Sequence, residues 1–136
     1  MDSMKAIAAR LVGTWHSVFV SDESEEDYFR FQEDLKFVQI FRWISPNGSQ
    51  HYYHLRMWGE LESESRLRIK HSRNRKGSLW ELQLGEDTLV IQLTMKQKEG
   101  ETEPEQRRWN CRRLKAEEVP EWFEPEFHKA MATPWL

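Results

Sequence analysis

The chain has little that could cross-link it or carry it through a membrane. It has one cysteine, Cys111, and therefore cannot form an internal disulfide. It has no apolar run long enough for a signal peptide or a membrane span. Its formal net charge of −3 excludes a globally basic nucleic-acid binder. These absences predict a cytoplasmic protein that binds neither nucleic acid nor membranes.

Familiar catalytic motifs are also missing. The sequence contains no G-x-S-x-G, H-E-x-x-H, C-x-x-C or phosphate-binding glycine loop. Cys111, alone in a strand-like segment, is typical of a small buried apolar side chain. His51 and His54 are three residues apart, so on a strand they project from opposite faces and cannot share a metal ion. We therefore predict no catalytic or metal-binding residue and identify no cofactor.

Aromatic residues, in contrast, are abundant: the chain has seven Trp, seven Phe and three Tyr. Each ring can bury about 150–250 Å². They can therefore supply a core although only 38% of the residues are hydrophobic and 32% are charged. The length of 136 residues fits one domain, and we expect a single domain over residues 1–136.

Short stretches rich in Val, Ile, Phe, Tyr and Trp alternate with turn-like clusters, which is typical of an all-β domain. The candidate strands are residues 11–20, 27–31, 35–45, 50–60, 66–71, 79–84, 89–95 and 106–114. An apolar face recurs from strand to strand, and closing the sheet on itself buries that face and removes exposed edges. We therefore predict an all-β fold, an up-and-down antiparallel barrel of roughly eight strands.

Two helical segments flank the predicted barrel, which spans about residues 11–114. A short helical turn precedes it, and a helical tail covers about residues 117–132. Pro125 is expected to break this tail into two pieces, the second at about residues 125–132. The large apolar residues of the tail must be buried, either on the barrel of the same chain or against a second copy. We expect the first, and therefore a monomer, with a homodimer as the alternative.

The Ser45–Ser49 turn determines the register of one hairpin. Pro46 has its φ fixed at about −65°, which excludes a type I′ turn, so we expect a type I turn with Gly48 as the bulge residue. This register pairs Trp43 with His51, Phe41 with Tyr53, Gln39 with Leu55, and Phe37 with Met57. We expect these odd-numbered side chains to point inward and the even-numbered ones to face solvent.

The segment L-V-G-T-W at residues 11–15 resembles the opening of the lipocalin and fatty-acid-binding-protein superfamily, the calycins. In that superfamily a G-x-W motif starts the first strand of a barrel. The resemblance implies structural roles for Gly13 and Trp15, with the tryptophan closing one end of the barrel and a basic residue of the last strand packed across it. The candidates for that residue are Arg107, Arg108, Arg112 and Arg113.

The same resemblance implies that the barrel interior binds a small apolar or amphiphilic molecule without catalysis. The predicted ligand-binding residues are inward-facing side chains and one arginine that would suit a carboxylate. They are Phe37, Gln39, Phe41, Trp43, His51, Tyr53, Leu55, Met57, Ile69, His71, Trp80, Leu82, Ile91 and Arg113. Arg113 has the alternative role of packing on Trp15.

Two further functions remain open. In an enzyme with a lipocalin-like pocket, His51 with Tyr53 or His71 would form the acid–base pair. These three side chains become neighbours if residues 61–65 close a tight hairpin. In a protein-interaction barrel with a filled core, partners would instead bind outward aromatic residues such as Tyr52 and Trp58, or the tail.

Overall fold

The computed structural model describes residues 3–19, 22–71, 74–94 and 106–132. It consists of helix α1 (Ser3–Leu11), eight strands, a 3-10 turn (Ala116–Glu118) and helix α2 (Phe123–Ala132). The strands are β1 (Gly13–Phe19), β2 (Asp22–Phe31), β3 (Lys36–Ile44), β4 (Gln50–Ser63), β5 (Arg66–His71), β6 (Asn74–Leu84), β7 (Thr88–Thr94) and β8 (Gln106–Arg113). Each strand pairs with the next, and β8 pairs with β1. The predicted closed antiparallel barrel is confirmed.

Strand β2 is five residues longer at its start than expected, because it includes an acidic run that begins at Asp22. Glu25 pairs with Trp43, and Glu26 pairs with Arg42 on β3. Glu26 points outward and accepts a hydrogen bond from Arg42 Nε at 2.7 Å. An antiparallel strand tolerates such charges on its outer face, so acidic composition did not mark the end of the strand.

The hairpin of β3 and β4 has the predicted turn and register. Ser45 N donates to Ser49 O at 2.9 Å, and Gly48 N donates to Ser45 O at 2.9 Å. Gly48 has a φ of 86°, the left-handed conformation that a bulge glycine provides. The ladder pairs Trp43 with His51, Phe41 with Tyr53, Gln39 with Leu55, and Phe37 with Met57. Local turn chemistry was sufficient to determine this pairing.

Aromatic rings fill the interior near the end of the barrel where α1 lies. The Phe29 ring meets the Trp80 and Trp109 rings edge to face, at centroid distances of 6.0 and 5.9 Å. The Trp80 and Trp109 rings are 5.8 Å apart, and Phe37 lies 5.4 Å from Trp80. These rings belong to one buried cluster with the aliphatic residues of β5, β6 and β7. We call this part of the interior the packed core.

Trp15 closes that end of the barrel, as the G-x-W motif implied. The residue is fully buried, and its Nε1 donates to Leu11 O at 2.9 Å. The Arg113 guanidinium lies 4.2 Å from the centre of the Trp15 ring and donates to Val12 O at 2.7 Å. Gly13 has a φ of 135°, and a Cβ there would lie 2.8 Å from Arg113 Nη1. Of the four candidate arginines, Arg113 therefore packs on the tryptophan.

Helix α2 covers the outer wall of β2 and β3. Phe123 and Phe127 pack on it against the buried side chains of Tyr28, Val38 and Ile40. The even-numbered face of β3 is therefore partly buried, which corrects the expectation that it faces solvent. The tail packs on the barrel of its own chain, as expected from its large apolar residues.

Proline does not interrupt helix α2. The helix begins at Phe123, two residues before the expected start, so Pro125 lies in its first turn. There a missing N–H costs nothing, since the first backbone donors of a helix have no partner within it. The 3-10 turn forms the other helical piece of the tail.

Candidate functional site

The predicted ligand-binding residues fall into two groups along the barrel axis. Six of them are buried in the packed core, each no more than 6% exposed. They are Phe37, Met57, Ile69, Trp80, Leu82 and Ile91. These side chains pack against one another within a single cluster, so they stabilise the closed half of the barrel. Arg113 lies beyond them, on Trp15.

Six other predicted residues line the inward face of the hairpin beyond the packed core. They are Gln39, Phe41, Trp43, His51, Tyr53 and Leu55, which we call the β3–β4 wall. Tyr53 is 57% exposed and Leu55 is 37% exposed. Phe41 and Trp43 stack at 5.6 Å, and Trp43 stacks on His51 at 4.8 Å. The wall is an aromatic surface that solvent reaches.

The exposure of the wall follows from the unequal pairing of β4. The first half of β4, from Gln50 to Trp58, pairs with β3. Its second half pairs with β5, from Trp58, which lies opposite Lys70, to Ser63. Strand β5 ends at His71, so the hairpin extends beyond its described neighbour. Side chains of the same inward parity are therefore buried at Met57 and exposed at Tyr53.

A buried carboxyl group lies where the packed core meets the wall. Asp27 on β2 is 2% exposed. Its Oδ2 accepts a hydrogen bond from Trp109 Nε1 at 2.8 Å, and its Oδ1 accepts one from Gln39 Nε2 at 3.0 Å. Ser17, its pairing partner on β1, is also buried. A polar layer thus lies inside an otherwise apolar barrel.

Burial raises the pKa of Asp27 above its ordinary value, against the opposing effect of its two hydrogen bonds. The nearby charge of Glu25 also raises this pKa, while Arg107 lowers it. The geometry places two acidic side chains and one basic one around the polar layer. Asp27 is consequently the least solvated charge-bearing group of the site.

Sequence reasoning missed both Asp27 and Trp109. The signal was present, because Asp27 has the same strand parity as Phe29 and Phe31, and Trp109 has the same parity as Cys111. The alternation was not carried through β2, although the candidate strand at residues 27–31 includes Asp27. A carboxyl group on an apolar strand face is informative because burying a charge is costly unless it is hydrogen-bonded.

The proposed cluster of His51, Tyr53 and His71 is not assembled by this register. Trp58 pairs with Lys70, which places His71 at the level of Met57. His51 lies six residues further along β4, about 20 Å away at the rise of a strand. The reason is that His51 and His71 could lie opposite each other only in a hairpin centred at Leu61, whereas β4 continues to Ser63 and the turn lies at residues 64 and 65. The side chain of His71 lies outside the described part of the structure.

Cys111 is buried at the inner surface of β8. Desolvation raises the pKa of its thiol to about 12, with a smaller contribution from the charge of Asp27. The thiol is therefore protonated at neutral pH, and it packs as a small apolar group within the core cluster. Within the described ranges, no group of three or more His, Cys, Asp or Glu side chains could hold a metal ion.

A cleft of about 470 Å³ lies outside the barrel, between its closed end and helix α2. Arg30 and Glu124 both line it, and they form a two-pronged ion pair at 2.7 and 3.0 Å. Arg30 also donates to Thr14 Oγ1 at 2.8 Å. Since its cation is already matched by a carboxylate, we assign no ligand to this cleft.

The structure thus defines a closed eight-stranded up-and-down β-barrel with one end packed by aromatic rings and with accessible aromatic side chains beyond its polar layer. No protein-family model matches the chain, and neither does any curated protein. Among the described helices, none has the length and apolar character needed to cross a membrane.

Proposed function

We propose that this protein binds one small apolar or amphiphilic molecule against the β3–β4 wall of its barrel, without catalysing a reaction. The observation that carries the proposal is the exposure of Tyr53 (57%) and Leu55 (37%) on the inward face of a barrel strand. Large apolar groups concentrated on a concave surface are typical of ligand sites. A bound molecule would cover them.

The resemblance to calycins at Gly13 and Trp15 supports a binding function and a distant lipocalin-like ancestry. By that comparison, the packed core belongs to the closed end and the ligand occupies the opposite half. A small ligand is sufficient for binding, because removing roughly 200 Å² of apolar surface from water contributes about 5 kcal/mol before the cost of association. We further propose a cytoplasmic monomer that binds neither nucleic acid nor membranes.

The two alternative functions have less geometric support. The acid–base pair of an enzyme would need His51 with Tyr53 or His71, but the His51 ring stacks on Trp43 at 4.8 Å, and His71 lies at the level of Met57. A protein-interaction barrel would need outward aromatic residues, but Tyr52 packs against Trp122 of the tail at 4.9 Å. The binding function uses side chains that remain accessible.

Titration with the neutral probe N-phenyl-1-naphthylamine tests the proposal. We expect saturable binding of one probe per chain, weakened about tenfold or more by Trp43→Ala or Tyr53→Ala, since both remove ring surface from the wall. Trp58→Ala is the matched control, because Trp58 lies on the opposite face of β4. Circular dichroism would establish that the variants are folded.

Two results would reject this function. The first is the absence of saturable binding to the folded parent protein. The second is an equal loss of affinity in the Trp43 and Trp58 variants, which would indicate nonspecific adsorption to aromatic surface.

A further inference from the structure

We propose that the molecule bound at the β3–β4 wall carries a cationic head group, an ammonium ion on an apolar chain, with the cation between Asp27 and the aromatic rings of the wall. This inference rests on the proposed function and adds the chemical class of the ligand. It is carried by the juxtaposition of a buried carboxyl group, a second acidic side chain and accessible aromatic faces on neighbouring strands.

The strand registers bring acidic and aromatic groups into two adjacent rows. In the first row, Asp27 pairs with Phe41, which pairs with Tyr53. In the second row, nearer the hairpin end, Glu25 pairs with Trp43, which pairs with His51. Side chains directly opposite on paired strands have Cβ atoms about 4.5–5.5 Å apart. Each row therefore joins a carboxyl group to an aromatic ring within the reach of one small cation.

Asp27 retains the capacity to bind a cation. A carboxylate has about four acceptor positions, and the Gln39 and Trp109 hydrogen bonds use one on each oxygen. Both donors are neutral groups, so they satisfy the oxygens without cancelling the charge. Burial opposes ionisation of this carboxyl, and a cation held beside it would offset that cost.

The aromatic faces provide the second part of the recognition. An ammonium ion near the face of Trp, Tyr or Phe is attracted by the ring quadrupole, and desolvation strengthens the attraction. Tyr53 is 57% exposed, so its ring is accessible to a ligand, while Trp43 and Phe41 are half-buried and stack on each other. An apolar chain attached to the ammonium ion would lie along Leu55 and the same rings.

The charges around the site favour a cation over an anion. Among the described residues, Arg107 is the basic group that acts on Asp27, and its influence is smaller than that of Glu25. Arg113, the arginine expected from the sequence to hold a carboxylate, packs on Trp15 at the other end of the barrel. A fatty acid at the wall would instead place its carboxylate beside Asp27 and Glu25, where like charges repel.

Competition between matched amphiphiles tests the inference. Octylammonium, octanol and octanoate share one chain length and differ in head-group charge. Each would displace N-phenyl-1-naphthylamine from the parent protein below its aggregation concentration. We expect the ammonium compound to act at a concentration about tenfold or more below that of octanoate, with octanol between them.

Substitution of the carboxyl groups locates the preference. Asp27→Asn should reduce the ratio between the ammonium and octanoate displacement concentrations about tenfold. Glu25→Gln is a second variant, at a half-buried position, if the Asp27 variant does not fold. Glu81→Gln is the control, since Glu81 is an exposed residue on β6, and it should leave the ratio unchanged.

The outcomes separate this inference from the proposed function. Equal or better displacement by octanoate, or the same head-group ratio in the folded Asp27 or Glu25 variant as in the parent, would overturn the cationic ligand while probe binding still supported the site. Absence of probe binding by the parent protein would reject the site itself.

Discussion

Asp27 connects three strands in the interior of this barrel. Its carboxyl group joins β2 to β3 through Gln39 and to β8 through Trp109. Asp27 pairs with Phe41 of the β3–β4 wall, so this layer lies level with the wall, and the packed core lies to one side of it. Strand alternation alone can place Asp27 on the inner face, but its partners come from distant parts of the sequence. The aromatic residues of the β3–β4 wall could therefore be predicted from the sequence, whereas Asp27 beside them could not.

Replacement of Asp27 by Asn should change how stability depends on pH. Because burial raises the pKa of Asp27 above its ordinary value of 3.8, the folded protein binds this proton more tightly than the unfolded chain. Stability from this group is therefore present at low pH and is lost as pH rises through the folded pKa. We expect the unfolding free energy of Asp27→Asn, relative to the parent, to increase as pH rises from the ordinary value of 3.8 through the raised pKa of the folded protein.

Urea denaturation at several pH values measures this effect. Asn can accept the Trp109 hydrogen bond through its oxygen, and the Gln39 amide can turn to accept from its nitrogen. Glu81→Gln should show no comparable trend, since Glu81 is exposed. A difference between Asp27→Asn and the parent that stays constant across the pH range would contradict the burial of an ionisable carboxyl at this position.

At the scale of elements, the sequence determines pairing better than it determines burial. The β3–β4 register follows from one turn containing Pro46 and Gly48, and it is confirmed throughout the hairpin. Phe37 and Tyr53 share the inward face, but one is 1% and the other 57% exposed. That difference depends on where β5 ends beside β4, and the cover on Val38 depends on α2. The first depends on the relative lengths of two consecutive strands, and the second on a contact between elements distant in sequence.

Arg30 joins helix α2 to the barrel and provides a test of this docking. Its guanidinium lies 4.5 Å from the Phe123 ring centre and 4.7 Å from that of Phe127. It also forms the two-pronged pair with Glu124. Arg30→Lys keeps the charge but loses the planar fork and the stacking. We expect a loss of about 1–2 kcal/mol in unfolding free energy, measured by urea denaturation.

Arg68→Lys is the matched control for Arg30→Lys. Arg68 forms a two-pronged pair with Glu62 at 2.7 and 3.3 Å on the surface of the barrel. Exposed ion pairs contribute little to stability, so this variant should lose less than Arg30→Lys. Equal losses in the two variants would show that stacking on α2 adds nothing to the contribution of Arg30.

At the scale of the whole molecule, the two ends of the barrel have different roles. The end with Trp15 is built for stability, with a buried ring, a stacked arginine and a glycine that leaves room for it. The calycin resemblance in the first strand predicted these contacts. The G-x-W motif places Gly13 and Trp15, and the stacked arginine was one of four candidates on the last strand. The opposite end carries the accessible aromatic residues. The placement of its acidic residues beside them depends on strand pairings that no short sequence motif predicts.

The tail covers the outer face of β3, and its removal should expose that face. Deleting the chain from Glu118 onward removes Phe123, Phe127 and the rest of α2, leaving Val38 and Ile40, now no more than 1% exposed, in contact with water. Such apolar patches promote aggregation. We expect the truncated chain to unfold at a lower temperature and to aggregate, while the intact protein runs as a monomer in light scattering.

A second truncated chain carrying Val38→Thr and Ile40→Thr distinguishes exposure of the outer face of β3 from general unfolding. If the exposed patch causes aggregation, these polar substitutions should restore part of the solubility, although they remain destabilising in the intact protein, where the same side chains are buried under α2. The opposite pattern, a dimeric intact protein and a soluble monomeric truncation, would mean that the tail buries its apolar residues against a second copy of the chain.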